Sequence, residues 1–241
     1  MKTLDAAPNI SEVAALIADP SRGTMLTTLL GGQTLLASEL ARTAGVTPQT
    51  ASAHLAKMVD GGLILSESHG RNRYFRLASP EVAHVLEALS IVAKPTKVRS
   101  LRQSKQTRAL HFARTCYDHL AGEVGVALTS KMLEFEWLMS EGKNFAITDR
   151  GADGLLAIGV DMRRIPTGRR ALARQCLDWS ERRYHVAGLL GAAITNRFFE
   201  LGWIGQKAST RAIEVTKAGA QGLSKNFDIR VDALKSQSET M

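Results

Sequence analysis

Two segments in the second half of the chain carry cysteine and histidine at spacings that could support metal or thiol chemistry. The first is Cys116-Tyr-Asp-His119, which on a helix would place a thiol and an imidazole one turn apart. The second runs from Cys176 to His185, with Glu181 and His185 at a helical i, i+4 spacing. Thiolate and imidazole are ligands for soft metals, and the thiolate is also the redox-active form of cysteine. Neither segment has the tight spacing of a zinc signature, and lone cysteines are commonly small core residues, so metal binding, thiol chemistry and packing all stay open.

A second group of polar residues, in the first third of the chain, is suited to nucleic acid. Apolar residues recur at helical spacing on one face of residues 48–59, and the other face is polar and free of acids. A basic turn at residues 69–73 follows, between two strand-like segments. A polar helix face can offer donors to base edges in the major groove, and arginines on a hairpin can reach phosphates or the minor groove.

A helix-turn-helix would position these residues. Leu36, Leu40 and Ala44 mark the inner face of a first helix, and Gly45 is suited to its left-handed end. Thr47 can cap the next helix, with Pro48 at its first position and Ala51, Leu55, Met58 and Val59 buried. Residues 63–68 and 74–77 then predict two strands. The alternative is a helix pair and hairpin used only for packing, but the acid-free face and basic turn favour a winged helix that binds DNA.

The sequence of this region resembles the ArsR-type winged-helix repressors. The similarity rests on Ser52-Ala53-His54-Leu55, on residues 60–64 (Asp-Gly-Gly-Leu-Ile) and on the Gly70-Arg71 turn, and it covers about residues 10–93. The resemblance implies a dimer on a pseudo-palindromic operator that represses transcription until an effector releases it. The DNA contacts that it implies are Thr47, Gln49, Thr50, Ser52, His54, Lys57, Arg71, Asn72 and Arg73.

Composition and charge narrow the function classes. The 241 residues are 44% hydrophobic and 22% charged, as in globular proteins, and the net charge of +8 favours a polyanionic partner such as nucleic acid. Two cysteines do not make a secreted disulfide framework. The N-terminus lacks the apolar core of a signal peptide, and no apolar stretch is long enough to span a bilayer, so a cytoplasmic location without membrane contact is expected.

Three further segments surround the winged helix. Residues 10–18 and 21–30 predict two short helices, and Ser79-Pro80 opens a helix to about Val92. In the family that the sequence resembles, the first and last of these helices form the dimer interface, although their apolar stripes could equally be core. From Lys94 to Arg114 the chain has seven basic residues and no acid, which predicts a basic linker that includes Arg99 and leads into a helix near Ser104, with Pro95 breaking the preceding helix. This linker is either solvated or makes additional contacts with DNA phosphates.

The second half contains an internal repeat. Residues 119–129 match 185–195 in register at His, Ala, Gly, Gly, Ala and Thr, and the match continues through Trp137 and Trp203. Each copy predicts two helices, two short strands and a last helix, which is the outline of a degraded winged helix. The small residues Ala121, Gly122 and Gly125 have counterparts in the second copy, and they predict two helices that cross closely.

A ligand pocket at the seam between the copies is one consequence of that arrangement. Its predicted effector-binding residues are Cys116, Tyr117, His119, Trp137, Cys176, Tyr184, His185 and Trp203. The alternative is that these are inherited core positions. The cysteine pair through which ArsR-type repressors often sense metals is absent from residues 35–40, and no catalytic motif is present, so no enzyme activity is expected.

The sequence therefore predicts a mainly α protein with small β-hairpins, of the α+β class. Its predicted domains are a winged-helix DNA-binding and dimerisation domain at 1–93, a basic linker at 94–108, and a sensor domain at 109–241 with repeats at about 114–164 and 180–232. The predicted function is a homodimeric repressor of double-stranded operator DNA, released by an unidentified effector. No cofactor is expected, with a metal ion left open. The alternatives are a constitutive DNA-binding protein and a thiol- or metal-responsive repressor that uses Cys116 and Cys176.

Overall fold

A computed structural model describes residues 7–94, 97–98, 100–166, 168, 170–207 and 210–239. The chain divides between Leu86 and Glu87 into two compact units. Helices alternate with small antiparallel sheets in both units, so the predicted α+β class is confirmed. Within the described ranges, no helix combines the length and the apolar character needed to cross a membrane.

The first unit is a winged helix-turn-helix, as predicted. Strands β1 and β2 flank β3 in one antiparallel sheet, and the β2–β3 hairpin is the wing. The elements are α1 (Ile10–Ala18), α2 (Pro20–Leu29), β1 (Leu35–Leu36), α3 (Ala37–Ala44), α4 (Pro48–Asp60), β2 (Ile64–His69), β3 (Asn72–Leu77) and α5 (Pro80–Val92), whose C-terminal turns belong to the second unit.

Local signals account for the helix ends in this unit. The Asp19 carboxylate caps α2 by accepting from the Arg22 N–H at 2.9 Å, and Gly45 ends α3 with φ at +66°. The Thr47 hydroxyl caps α4 by accepting from the Thr50 N–H at 3.2 Å. Two details differ from the sequence prediction: Leu36 lies in β1 opposite Tyr74 rather than on α3, and Val59 is only partly buried.

The second unit opens with a helix in the segment that was predicted as a linker. Helix α6 begins at Leu101, because the Ser100 hydroxyl accepts from the Gln103 N–H at 3.2 Å and caps it there. The predicted linker at 94–108 and the predicted helix start near Ser104 therefore differ from the structure. The predicted break at Pro95 and the cation Arg99 lie outside the described residues.

The rest of the second unit runs twice through the order hairpin, helix, hairpin, helix, and α11 follows. The helices of the first run are α7 and α8, and those of the second are α9 and α10. The elements are α6 (Leu101–Phe112), β4 (Arg114–Cys116), β5 (His119–Ala121), α7 (Gly122–Glu134), β6 (Leu138–Glu141), β7 (Asn144–Ile147), α8 (Asp149–Ala157), a 3-10 turn (Met162–Arg164), β8 (Arg174–Leu177), β9 (Tyr184–Ala187), α9 (Gly188–Glu200), β10 (Ile204–Gln206), β11 (Ile213–Val215), α10 (Lys217–Phe227) and α11 (Val231–Glu239).

This order differs from the predicted helix-first repeat. The segments that precede the glycine-containing helices are strands, and the second run begins at Arg174 rather than near residue 180. Cys116 and His119 are opposed across β4–β5 instead of one helical turn apart, because Tyr117 adopts φ of +61° and turns the chain back. Glu181 lies in the β8–β9 connection, so the predicted helical spacing to His185 does not apply.

Backbone hydrogen bonds interlock the two runs reciprocally. The Phe145 N–H donates to the Ala173 carbonyl, and the Ile213 N–H donates to the Ala113 carbonyl, both at 2.8 Å. The strands β6 and β7 consequently join β8 and β9 in one four-stranded sheet. Each run therefore completes the hydrogen bonding of the other.

The glycines allow helices to approach strand backbone rather than another helix. A Cβ atom on Gly125 would lie 2.5 Å from the Leu120 carbonyl oxygen, and one on Gly191 would lie 2.5 Å from that of Val186. Each helix packs closely on the strand that leads into it, and α7 and α9 also pack on β9 and β5, respectively. The predicted crossing of two small helix faces is thus replaced by helix-on-strand packing at these glycines.

Candidate functional site

The exposed face of α4 presents polar side chains, and its one acid, Asp60, is the last residue of the helix. Gln49, Thr50, Ser52 and Lys57 are all exposed. The Ser52 hydroxyl donates to the Pro48 carbonyl at 2.9 Å, while Thr47 and Thr50 share a hydroxyl–hydroxyl contact of 2.9 Å at the start of the helix. These groups lie on the side opposite the buried Ala51, Leu55 and Met58. The face can therefore offer donors and acceptors to base edges while the apolar side holds the helix on the core.

His54 has a different position from the other predicted contacts. Its side chain is only 17% exposed, Arg22 Nη1 lies 3.3 Å from its Nδ1, and Asp19 lies 3.9 Å from its Nε2. Arg22 also donates to the carbonyls of Leu16 and Ala15. The imidazole thus ties α4 to the start of α2, which makes it less available to DNA than the sequence indicated.

The wing carries cations at its tip. Arg71, Asn72 and Arg73 are exposed at or beside the β2–β3 turn. Arg73 donates to the Ser66 hydroxyl at 3.0 Å and its guanidinium lies 5.5 Å from the Phe75 ring centroid, which orients it along the hairpin. Further from the tip, Arg76 pairs with Glu67 at 2.8 Å. Among the described residues of the wing, Arg71 and Arg73 therefore carry positive charge without an acidic partner, and both lie at the tip.

The second unit brings together four side chains from the two cysteine–histidine segments. The ligand atoms of Cys116, His119, Cys176 and His185, which we call the Cys–His cluster, all lie within 4.8 Å of one another. The side chains are buried, and the two sulfur atoms are 3.9 Å apart without a disulfide. Groups so deeply buried can take a metal ion or form a sulfur–sulfur bond, whereas a large substrate would need the structure to open.

Two hairpins position the Cys–His cluster. Cys116 pairs with His119 across β4–β5, and Cys176 pairs with His185 across β8–β9. Directly opposed residues in an antiparallel pair point to the same face of the hairpin. Two residues separate the first pair and eight separate the second, so the cross-strand register, not the sequence spacing, makes the two pairs equivalent.

An aspartate carboxylate contacts Nδ1 of each histidine in the cluster. Asp118 Oδ1 is 3.3 Å from Nδ1 of His119, and Asp178 Oδ2 is 3.2 Å from Nδ1 of His185. Arg170 donates to both oxygens of Asp118, at 2.6 and 2.8 Å, and Arg114 donates to Asp178 at 2.7 Å. Sequence reasoning missed both arginines. The signal was present for Arg114 and for the two carboxylates, since Arg-x-Cys-x-Asp occurs at both 114–118 and 174–178, but Arg170 lies outside that pattern.

The surroundings shift the pKa values of the two cysteines and of His185 in different directions. The contact with Cys176 and burial raise the pKa of the Cys116 thiol well above its usual value. The Cys116 thiol lowers the pKa of Cys176 against the effect of burial, and His119 and His185 lower it further. Burial alone would lower the pKa of His185, but Asp178 and Cys176 raise it to about 9. The contacts within the cluster therefore favour protonation of Cys116 and His185 over protonation of Cys176.

The other predicted effector residues lie elsewhere. Trp137 packs on Gly154 and Phe227, and Trp203 packs on Gly222 and Phe198, and both rings are partly buried against the hydrophobic core. Tyr117 forms the β4–β5 turn, and Tyr184 is 52% exposed. Trp179, which the sequence did not predict, lies with its ring 4.2 Å from the guanidinium of Arg114, the partner of Asp178.

A surface cavity is present in the second unit, but away from the histidines. Its volume is about 370 Å³, and it lies between the segment Gly159–Pro166 and the exposed side of α9. Asp161, Arg164, Arg197 and Glu200 contribute its charges. The structure thus separates the cavity from the Cys–His cluster, which the sequence prediction had combined in one pocket.

Comparisons with known proteins agree with the geometry of the first unit. A family described as a helix-turn-helix domain matches residues 17–67, which span α2 to β2. The chain is 44% identical over 224 residues to YdfF of Bacillus subtilis (strain 168), an uncharacterised HTH-type transcriptional regulator, and the alignment covers 93% of this chain and 99% of that protein.

Two solved structures are similar over about a third of the chain. One is the homodimeric winged helix-turn-helix domain of Mb0332 from Mycobacterium bovis, a possible ArsR-family regulator, with 28% identity, a TM-score of 0.32, and coverage of 34% of this chain and 76% of that one. The other is HlyU from Vibrio cholerae N16961, with 24% identity, a TM-score of 0.33, and coverage of 34% and 89%. From the near full-length similarity to YdfF and the winged helix itself, the chain belongs to the HTH-type transcriptional regulators.

Proposed function

We propose that this regulator is a dimeric repressor of the ArsR type, which binds operator DNA through α4 and the wing and is released by an effector that acts on its second unit. It works by binding rather than by catalysis, in the cytoplasm where the operator lies. The observation that carries the proposal is the exposed polar face of α4, whose one acid is its last residue, Asp60, beside a wing whose tip carries Arg71 and Arg73.

Exposed apolar side chains support the dimer. Ile10 on α1 is 78% exposed, and Val85, Leu89 and Val92 on α5 are also exposed. Large apolar side chains exposed in one protomer are often covered by a partner. In the family that the sequence resembles, the corresponding helices form the dimer interface. The expected mass in solution is twice that of the chain, which sedimentation equilibrium measures.

Two alternatives to release by a ligand predict different responses of operator affinity. A constitutive DNA-binding protein would have an operator affinity that no metabolite, metal or oxidant changes. A thiol-responsive repressor, favoured by the 3.9 Å separation of Cys116 and Cys176, would lose an oxidant response on Cys116→Ser or Cys176→Ser. An effector that changes the affinity of the protein for operator DNA is subject to thermodynamic reciprocity. Saturating operator DNA must then change the affinity of the protein for that effector by the same factor.

Capture of fragmented genomic DNA by the purified protein, followed by sequencing, tests the DNA-binding role. We expect one or a few promoters that share an inverted repeat with half-sites about one DNA turn apart. Broad recovery without a common site would contradict a sequence-specific repressor. The captured sequence then serves as the operator in the measurements below.

Variants of the wing and of the helix should have different effects on operator binding. Arg71→Ala with Arg73→Ala removes phosphate contacts, so we expect weaker binding to all sequences and a slope of log affinity against log salt that falls by up to about 2. Gln49→Ala removes a base contact, and we expect about 5- to 150-fold weaker binding that depends on the base at one position. Fluorescence anisotropy over a salt series and a set of single-base operator variants measures both.

The exposed Lys143, in the second unit, provides the matched control. Lys143→Ala removes a surface charge of the same sign and should change neither the salt slope nor the base preference. If the wing double variant has the same salt slope as Lys143→Ala, the wing does not contact phosphates.

A further inference from the structure

The Cys–His cluster has the donor set of a closed metal site. Two sulfur and two imidazole ligands are a set that selects zinc and related borderline or soft cations. The four side chains are 2%, 3%, 7% and 1% exposed in chain order, and their donor atoms lie within 4.8 Å of one another. Four protein ligands leave no position for a substrate, as in structural rather than catalytic zinc sites.

The distance between the two sulfur atoms fits a shared metal ion. Two ligands bonded to zinc at about 2.3 Å, at a tetrahedral angle, are separated by about 3.8 Å. Sγ of Cys116 and Sγ of Cys176 are 3.9 Å apart, far from the roughly 2.05 Å of a disulfide. An ion between them therefore requires little movement of either hairpin.

Both histidines are oriented for ligation through Nε2. Asp118 and Asp178 lie 3.3 and 3.2 Å from the Nδ1 atoms of His119 and His185, and zinc-ligating histidines commonly donate their second N–H to such a carboxylate. The contact of His119 with Asp118 is a hydrogen bond, whereas that of His185 with Asp178 is an ion-pair contact without hydrogen-bond geometry. Within the described part of the chain, Nε2 of His119 and Nε2 of His185 are buried and have no hydrogen-bond partner. A buried imidazole nitrogen without a partner is costly, and a metal ion would satisfy both.

The net charge of the ligands also matches that of a divalent cation. Each carboxylate is neutralised by its own arginine, Asp118 by Arg170 and Asp178 by Arg114. What remains is two thiolates and two neutral imidazoles, with a charge of −2 that one divalent ion balances. A buried site with no net charge avoids the large desolvation penalty of an isolated ion.

We propose that Cys116, His119, Cys176 and His185 form a tetrahedral site for one Zn²⁺ ion, which links the β4–β5 and β8–β9 hairpins of the second unit. The site does not depend on the proposed repressor function. It also lies outside residues 35–40, where the resemblance located the metal-sensing cysteines of related repressors. Two Zn–S bonds form on binding, and the two protons that the cysteine and histidine ligands hold in the metal-free protein leave to solvent.

Metal titration of the full-length protein tests this site. The reduced protein is freed of metal with a chelator and titrated with Zn²⁺ in competition with a chromophoric chelator, and with Co²⁺ as a spectroscopic probe. We expect one ion per chain, tetrahedral ligand-field bands with Co²⁺, and an X-ray absorption first shell of two sulfur atoms near about 2.3 Å and two nitrogen atoms near about 2.0–2.1 Å. The absorption measurement uses the unaltered chain, so it does not depend on the folding of any variant.

The Zn²⁺ affinities of single variants distinguish the proposed ligands from residues that only lie near the site. Cys116→Ser and His185→Gln should each lower Zn²⁺ affinity by more than about 100-fold, and Asp118→Asn, behind a ligand, should lower it by about 10- to 100-fold. His69→Gln, an exposed histidine on the wing, should leave the affinity unchanged. A first shell without sulfur, a stoichiometry well below one ion per chain, or equal affinities for Cys116→Ser and His69→Gln would each overturn the proposal.

Discussion

Asp178→Ala is expected to lower the free energy of unfolding of the second unit by about 3–5 kcal/mol, the range measured when one partner of a buried ion pair is removed. Asp178 and Arg114 are both completely buried, and their side chains meet at 2.7 Å. The alanine variant would leave the Arg114 guanidinium buried without its counter-ion. Because typical domains are stable by only about 5–15 kcal/mol, this loss should be visible as a large fall in Tm and a shift in urea midpoint.

The carboxylate of Asp178 also satisfies several backbone donors. It accepts from the Gly122 N–H at 2.7 Å, from the Ser180 N–H at 2.9 Å and from the Glu181 N–H at 3.2 Å. Since Gly122 begins α7 and Ser180 lies in the β8–β9 connection, one side chain joins the two runs of the second unit. Asp178→Asn keeps part of this hydrogen bonding and should be less destabilising than Asp178→Ala.

An exposed ion pair provides the control for the buried one. Arg150 and Glu136 are 3.4 Å apart with side chains 66% and 78% exposed, and such pairs contribute less than about 1 kcal/mol. Arg150→Ala should therefore unfold at nearly the same urea concentration as the unaltered protein. Similar midpoints for Arg150→Ala and Asp178→Ala would mean that the Arg114–Asp178 pair does not stabilise the unit.

The winged helix could be predicted from sequence because its signals are local. The caps at Asp19 and Thr47, the left-handed Gly45 and the apolar stripe of α4 each act within a few residues. Among the predicted DNA contacts, His54 is the residue whose environment the sequence did not indicate. Its contacts with Arg22 and Asp19 join residues more than thirty positions apart, and the pattern of one helix carries no information about them.

The second unit could be predicted only in part, because its strands depend on long-range pairing. The segment from His119 to Thr129 has apolar and small residues that suit a helix throughout, yet its first three residues form β5. Strands of three residues have little intrinsic preference, and here they are held by partners such as Arg211, whose carbonyl accepts from the Thr115 N–H at 2.9 Å. Periodicity within one segment does not report such pairing.

The internal repeat predicted that the four residues of the Cys–His cluster lie at one seam, but their spacing in sequence could not identify them as a set of metal ligands. Zinc signatures are specific when ligands lie close in sequence, but sixty positions separate Cys116 from Cys176, and only the interlocked hairpins bring them together. The repeated Arg-x-Cys-x-Asp pattern, together with the alignment of His119 with His185, indicates that the two segments have equivalent roles. It identifies the supporting carboxylates, but it does not include Arg170 and does not show that Arg114 pairs with Asp178 of the other run.

The second large effect is expected at the glycines that begin α7 and α9. Gly122 and Gly188 have φ values of +79° and +82°, where an L side chain is strained by about 1–2 kcal/mol. A Cβ atom would also lie 2.4 Å from the His111 carbonyl oxygen at Gly122, and 2.5 Å from that of Ala171 at Gly188. Because both obstacles are backbone atoms, they cannot be relieved by a rotamer change. We expect Gly122→Ala and Gly188→Ala each to lower the free energy of unfolding by more than about 3 kcal/mol, from strain and overpacking together.

Gly202 separates the two causes, since its φ is +64° and a Cβ atom there would meet nothing within 4 Å. Gly202→Ala should therefore cost only the conformational strain, about 1–2 kcal/mol, in the same urea titration. If Gly122→Ala were no more destabilising than Gly202→Ala, the close approach of α6 to the start of α7 would not exist in solution. The β4–β5 hairpin ends where α7 begins, so loss of that approach would also remove the geometric basis for placing Cys116 and His119 beside Cys176 and His185. A large effect at both Gly122 and Gly188, in contrast, would support the reciprocal construction on which the Cys–His cluster depends.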